Sequence, residues 1–217
     1  MQGYPHLLGL LVVHINHPHI PEALQWFLYD HVNPDADVSP ANINIEECPD
    51  FTGRILVYHS AIARFFAPSD LCGAGGMYCE QIHSHPDWQG KYVWYDTMFV
   101  KTGSELDPMH GMTIGCALLF FSLTFRDEYL PCALIQWLVP SNVPNENTGM
   151  WVVQSEFTGN GHRTLSVIYI DCVARAAHLL PIYRTSFIPE DLQFLTHLMY
   201  FIHILLTTLL TTILMSF

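Results

Sequence analysis

Four residues with metal-binding side chains, Cys72, Cys79, His83 and His85, fall at the spacing C-x6-C-x3-H-x-H, enough donors to close a tetrahedral zinc site. The spacing is not that of a standard zinc module, so coincidence outweighs a zinc site and no cofactor is expected. A second group, His14, His17 and His19 in the run HINHPH, is dense enough in imidazole to take up zinc, copper or nickel, and Glu22 is the first carboxylate near it. The ordinary reading of that run is an exposed, partly disordered segment.

Nucleophilic chemistry would need a hydroxyl or thiol beside a base, and the local candidates are Ser60 or Cys72 with His59 and Asp70. No G-x-S-x-G elbow accompanies them, and neighbours in sequence need not be neighbours in a site. The glycine-rich stretch Ser69 to Gly76 lacks the GxxxxGK[ST] and GxGxxG orders and is followed by no lysine that would neutralise phosphate, so it reads as a turn. The acid pairs Glu46-Glu47 and Asp127-Glu128 fall in expected loops, where solvation is their role. Metal-dependent phosphoryl chemistry needs acids converging from distant strands, and nothing marks Asp50, Asp70, Asp96 or Asp171 as such a set. No catalytic residue is expected.

The elements that would position these groups fall into three stretches. Residues 1–53 read as a helical and acidic preface. Pro21 to His31 opens with a proline suited to a first helical turn and places Leu24, Phe27 and Leu28 on one face, and Asn33-Pro34-Asp35 ends it. Residues 54–190 read as a β-rich core, with strands expected at Arg54 to Tyr58, Tyr92 to Val100, Thr113 to Phe125, Leu130 to Val139, Met150 to Gln154 and Leu165 to Asp171. The continuous apolar run Cys116 to Phe121 is expected to lie centrally between two layers. Asp171 to Leu180 is expected to form a short helix with Val173, Ala176, Ala177 and Leu180 on the core and Arg175 one turn from Asp171. Residues 191–217 contain no Lys, Arg or Glu after Leu192, and Leu195 to Met215 has the length of a bilayer-spanning helix. That stretch is either a tail anchor inserted through Leu192 to Phe217 or a buried or self-associating terminal helix. The fold class that follows is mainly β with a few helices (α+β): a small β-barrel or sandwich core with a C-terminal hydrophobic helix.

Charge narrows the partners. The formal net charge of -12 reflects few bases, with Lys91 and Lys101 the only lysines and six scattered arginines, so direct nucleic-acid binding is disfavoured. The six cysteines are even in number, but the apolar run Leu7 to Val13 lacks a positive n-region, which points to reduced thiols in a nuclear or cytoplasmic protein. Cys116 and Cys132 lie inside apolar runs and are expected to be core thiols.

The phrases FLYDHVNPDADVS, EECPDFTGRILVYHSAIARFFAPSDLCGAGGM, YDTMFV, LLFFSLTF, PCALIQWLVP, TGMWVVQSEF and SVIYIDCVARAAHLLPIY, in that order, span roughly Pro21 to Glu190. Together they resemble the C-terminal part of transposase-like proteins of mobile elements in mushroom-forming fungi, the Plavaka and KDZ type. In that family the region follows the presumed catalytic portion, so the resemblance implies a non-catalytic accessory domain acting through protein association. The family pattern has arginine where this chain has Cys79, Gln81, His83, Gln89, Trp94 and Cys116, each one transition away from a CGN codon. A decaying element copy with eroded basic residues is the expectation that follows. The stretch from Leu195 departs from the family pattern, as a frameshift or altered splice would produce. A tail-anchored membrane protein and a zinc-binding module are the alternatives to the association domain.

Overall fold

The computed structural model describes residues 4–35, 43–67, 76–88, 92–103, 109, 111–141, 143–146, 149–181 and 204–206. Two helices come first, α1 (Leu8–Ile15) and α2 (Ile20–Val32). Asn16 adopts the left-handed conformation at φ 54°, and its N–H bonds back toward the end of α1, which lets the chain turn at once into α2. In α2 the spacing of Ile20, Ala23, Leu24, Phe27 and Leu28 gives one buried stripe, and Asn33 N–H closes the helix on the Tyr29 carbonyl at 3.0 Å. The HINHPH run is therefore ordered as the end of α1, a tight connector and the start of α2. A short 3-10 turn follows at Ile45–Glu47.

The remainder is antiparallel β-structure in two sheets. The strands of the large sheet are β1 (Ile55–Tyr58), β5 (Thr97–Lys101), β6 (Met112–Phe125), β7 (Glu128–Pro140), β8 (Trp151–Ser155), β9 (Leu165–Tyr169), β10 (Val173–Ala177), β11 (Leu179–Pro181) and β12 (Ile204–Leu206). Their order is β10-β5-β6-β7-β8-β12-β11, with β1 also beside β6 and β9 also beside β7. The small sheet is β2 (Ser60–Phe66), β3 (Met77–Trp88) and β4 (Tyr92–Tyr95), in sequence order.

The β6–β7 hairpin is the spine of the large sheet. Arg126 and Asp127 turn it with both residues at positive φ, 50° and 65°, the sign pair of the two-residue turn whose twist suits flanking strands. Both faces of this hairpin are covered, which is why its sequence is apolar without alternation. On one face Leu119, Phe121, Leu123, Leu130, Cys132 and Leu134 pack with Leu11, Leu24, Phe27 and Leu28 of the helices. On the other, Ala117, Phe120, Ala133 and Ile135 pack with Ala63 and Ile82 of the small sheet. A bulge between Ala117 and Leu119 leaves Leu118 as an extra residue, so Leu118 and Leu119 both enter the helix-side core. Cys116 and Cys132 are buried, as expected.

Five of the six expected strands correspond to β1, β6, β7, β8 and β9 within a few residues. The sixth, Tyr92 to Val100, is two strands, because Asp96 interrupts it where the chain leaves β4 in the small sheet and joins β5 in the large one. The expected helix Asp171 to Leu180 is instead a 3-10 turn (Ile170–Cys172) followed by β10 and β11. Pairing of β10 with β5 outweighs the helix preference of its alanines, and Arg175 meets Glu80 of β3 at 3.4 Å rather than Asp171. Strands β2 and β3 were not expected. β2 carries apolar residues on both faces, and β3 reads as a polar segment in which only Ile82 and Ser84 are fully buried among its described side chains. The expected C-terminal helix lies outside the described residues except at Ile204–Leu206, which pair as strand β12 with β8 and β11. An apolar run of that kind suits either state, and sheet pairing decides it there. Among the described residues no helix is long and apolar enough to cross a membrane.

Candidate functional site

The chain changes sheets twice at one corner of the molecule, at His59 between β1 and β2 and at Asp96 between β4 and β5. Both crossings are pinned to β3: Ser84 N–H donates to the His59 carbonyl at 2.8 Å, and Asp96 N–H donates to the His83 carbonyl at 2.9 Å. The Asp96 carbonyl in turn accepts from Ala117 N–H of β6 at 2.9 Å. A corner built this way needs backbone hydrogen bonds from both sheets, which is why Asp96 belongs to neither strand.

The Asp96 carboxylate gathers three donors. Its Oδ2 accepts from the backbone N–H of His83 at 2.7 Å and lies 2.9 Å from His83 Nδ1, and its Oδ1 accepts from Trp94 Nε1 at 2.8 Å. The imidazole of His83 also lies against the Trp94 indole, 4.7 Å between ring centroids. Carboxylate and indole together fix the orientation of the His83 ring and direct its Nδ1 proton toward Asp96. Directly across the strand pair from His83 stands Ser60, whose Oγ accepts from Gln81 Nε2 at 2.9 Å. Side chains of directly opposed residues share one face of the sheet, so the Ser60 hydroxyl lies on the same face as the paired His83 imidazole and Asp96 carboxylate. Sequence reasoning paired Ser60 with His59 and Asp70; Asp70 lies outside the described residues, and the long-range pairing of β2 with β3 substitutes His83. No local motif announces that partner.

Beside this corner the rings of His59 and His85 stack, 4.1 Å apart and 12° from parallel. Tyr4 meets His59 at 5.3 Å and His14 of α1 at 5.2 Å, so the N-terminal segment is tied to the corner through aromatic contacts.

Of the expected zinc ligands, Cys72 lies outside the described residues, as does most of the glycine-rich stretch. Cys79, His83 and His85 share the outer face of β3. Strand geometry sets Cys79 and His83 roughly 13 Å apart along that face, against roughly 3.5 Å between donors on one zinc ion. Among the described residues no three His, Cys, Asp or Glu side chains converge as a metal ion requires. Glu46 and Glu47 lie in the 3-10 turn, Asp50 accepts from Gln25 at 2.7 Å, and Asp171 is exposed in the turn before β10. Glu128 stands 3.3 Å from His31 at the hairpin turn, and His31 Nδ1 is 2.6 Å from the Tyr169 hydroxyl, which clamps α2 to β9.

The outer face of β2 and β3 away from the corner mixes exposed apolar side chains with Arg64, Cys79 and Gln81, the last directly opposite Ile62. Ile62 is 65% exposed, Phe66 55% and Met77 47%, and Phe66 stands directly opposite Met77 in the register. Arg64 and Cys79, also directly opposed and exposed, lie between Ile62 and the Phe66–Met77 pair. No protein-family model matches the chain, and neither a curated protein nor a solved structure shows a significant match to it.

Proposed function

We propose that this chain is a non-catalytic protein-association domain with a β-sandwich-type core, derived from the terminal region of a transposase-like protein of a fungal mobile element. The observation that carries the reading is the outer face of β2–β3. A strand pair whose inner face is already buried through Ala63 and Ile82 still presents Ile62, Phe66 and Met77 to solvent on its other face. Single exposed apolar residues are ordinary, but three on one face interleaved with Arg64, Cys79 and Gln81 have the mixed composition of a protein interface. The scarcity of lysine and arginine argues for a protein partner over nucleic acid.

The test is site-specific photo-crosslinking in cells, with the reactive residue placed at Ile62 and, as a control, at Val143, which is 68% exposed between β7 and β8. A discrete adduct from position 62 alone, lost when Phe66→Asp is added, is the expected result. Adducts of the same pattern from both positions, or adducts insensitive to Phe66→Asp, would remove the proposal.

A second reading is favoured by the 2.9 Å contact between His83 and Asp96 with Ser60 opposite: a hydrolytic serine with His83 as its base. A fluorophosphonate probe separates the two readings. Labelling abolished by Ser60→Ala and by His83→Ala supports hydrolysis, and an unlabelled, folded protein supports the association domain.

A further inference from the structure

Strand β2 closes one end of the small sheet, and among the described residues its only ladder partner is β3. The hydrogen bonds that bracket this ladder fix its phase. At one end Ser84 N–H donates to the His59 carbonyl at 2.8 Å, and at the other Ala67 N–H donates to the Gly76 carbonyl at 2.7 Å. Both pairs continue the register in which Ser60 faces His83 and Phe66 faces Met77. Hydrogen-bonded pairs alternate along an antiparallel ladder, so Ala61, Ala63 and Phe65 bond to β3. The N–H and C=O groups of Ser60, Ile62, Arg64 and Phe66 therefore point to the open edge, and no other backbone group among the described residues takes them up.

An open edge is a template for a further strand, and proteins blunt such edges with proline, lysine, a bulge or short length. The opposite edge of the small sheet has such protection: β4 is only four residues long, and its register against β3 shifts between His85 and Trp88. Strand β2 runs for seven residues in unbroken register, contains neither proline nor lysine, and carries Arg64 as its one charge.

The sequence of β2, SAIARFF, is complementary to itself when a second copy runs antiparallel to it. A two-fold axis through Ala63 pairs all seven residues with the copy. It sets Ser60 opposite Phe66, Ala61 opposite Phe65, and Ile62 opposite Arg64. Each phenylalanine then meets a small residue, and Ile62 meets the aliphatic stem of an arginine. The pairs that exchange hydrogen bonds in this arrangement join Ser60 to Phe66 and Ile62 to Arg64, the four residues whose backbone groups face the edge. An axis at Arg64 would oppose two guanidinium groups, and an axis at Ile62 would carry Phe65 and Phe66 past the corner at His59, beyond the second strand.

We propose that two copies of this chain associate by antiparallel pairing of β2 with β2, which joins their small sheets into one continuous sheet. The pairing rests on the association reading above and names its partner as a second copy. It also places Phe66 of the second copy beside Ser60, on the face that carries His83 and Asp96. An interface of one strand pair is small and belongs to the weak, reversible class.

The experiment is sedimentation velocity of the full chain over a range of concentrations under reducing conditions. Ile62→Lys and the double variant Ile62→Lys/Arg64→Glu are run alongside, with circular dichroism confirming that each is folded. The expected result is a monomer–dimer equilibrium that Ile62→Lys weakens about tenfold or more, because it brings a second cation opposite Arg64. The double variant should restore it, because opposite charges then face each other across the pairing. A chain that stays monomeric, a dimer that Ile62→Lys leaves unchanged, or a double variant no stronger than Ile62→Lys overturns the proposal. Should a variant fail to fold, a photo-reactive residue at Ile62 of the purified chain decides: its adduct must map to Arg64 or its neighbours in a second copy, and any other site overturns the pairing. A monomeric purified chain whose Ile62 position still captures a different protein in cells would remove the self-pairing and leave the association reading standing, whereas no adduct in either setting would remove both.

Discussion

Glu80 of β3 accepts from the Arg175 guanidinium of β10 at 3.4 Å, and its other oxygen accepts from the neighbouring Ala176 N–H at 2.9 Å. One carboxylate of the small sheet thus holds the edge strand of the large sheet. Arg175 also lies over the Phe65 ring at 4.7 Å, while its buried Nε and Nη1 have no hydrogen-bond partner among the described residues.

Removing Glu80 leaves that guanidinium without its counter-charge in a site where it is mostly shielded from water. Glu80→Ala is expected to cost about 2–4 kcal/mol of unfolding free energy. Glu80→Gln, which keeps an acceptor for Ala176, is expected to cost about half as much. Urea unfolding of the three proteins checks this, and equal stability of Glu80→Ala and the parent would show that the sheets are held together elsewhere.

Asp96 is the corner residue whose side chain serves three donors, and two of these, the His83 backbone and the Trp94 indole, cannot be satisfied by an alanine. Asp96→Ala is expected to lose about 2–4 kcal/mol and to red-shift Trp94 emission as the indole N–H loses the carboxylate. Asp96→Asn retains an acceptor oxygen and should fall between the two. A far smaller loss in Asp96→Ala would mean that β4 and β5 join correctly without the carboxylate.

Burial pushes the Cys116 and Cys132 thiols up to about 12 from an ordinary value of 9.0. Burial also raises the Tyr95 phenol above its ordinary range. Each group prefers its neutral form in the folded state, so its contribution is fully present below the unfolded value and is lost as pH climbs from there toward the folded value. Between pH 9 and 12 each thiol should therefore remove about 1.4 kcal/mol of stability per pH unit. The urea midpoint should fall steeply from pH 9 to 10.5, and Cys116→Ala and Cys132→Ala should each flatten that slope. Unchanged slopes in both variants would assign the alkaline loss to other groups.

Arg126 and Asp127 hold positive φ without being glycine, a conformation that costs most residues free energy. The pair Arg126→Asn with Asp127→Gly supplies the residues this two-residue turn prefers and is expected to add about 0.5–1 kcal/mol, seen as a raised Tm. A lowered Tm would indicate that the Arg126 guanidinium, 5.3 Å above the Phe125 ring, contributes more than the turn strain costs.

What was legible in the sequence is what local pattern can encode. The amphipathic stripe of α2, the apolar runs of β6 and β7 and the core position of Cys116 and Cys132 follow from hydrophobic spacing alone, because water sorts those side chains whatever their partners. Strand β3 shows the limit of that signal. Its residues Glu80, His83 and Ser84 become inner or corner residues only because β2, β4 and β10 arrive from elsewhere in the chain, and a polar segment paired on both sides looks from its own sequence like a loop. The segment Val173 to Ala177 carries helix-forming alanines, and only its pairing with β5 and the meeting of Arg175 with Glu80 make it a strand. The candidate sites divide in the same way. Spacing could nominate His59 or the HINHPH run, but the contact of His83 with Asp96 and the placing of Ser60 opposite His83 join residues 13 and 23 positions apart. Contacts of that range depend on sheet register and loop placement, which no window of sequence contains.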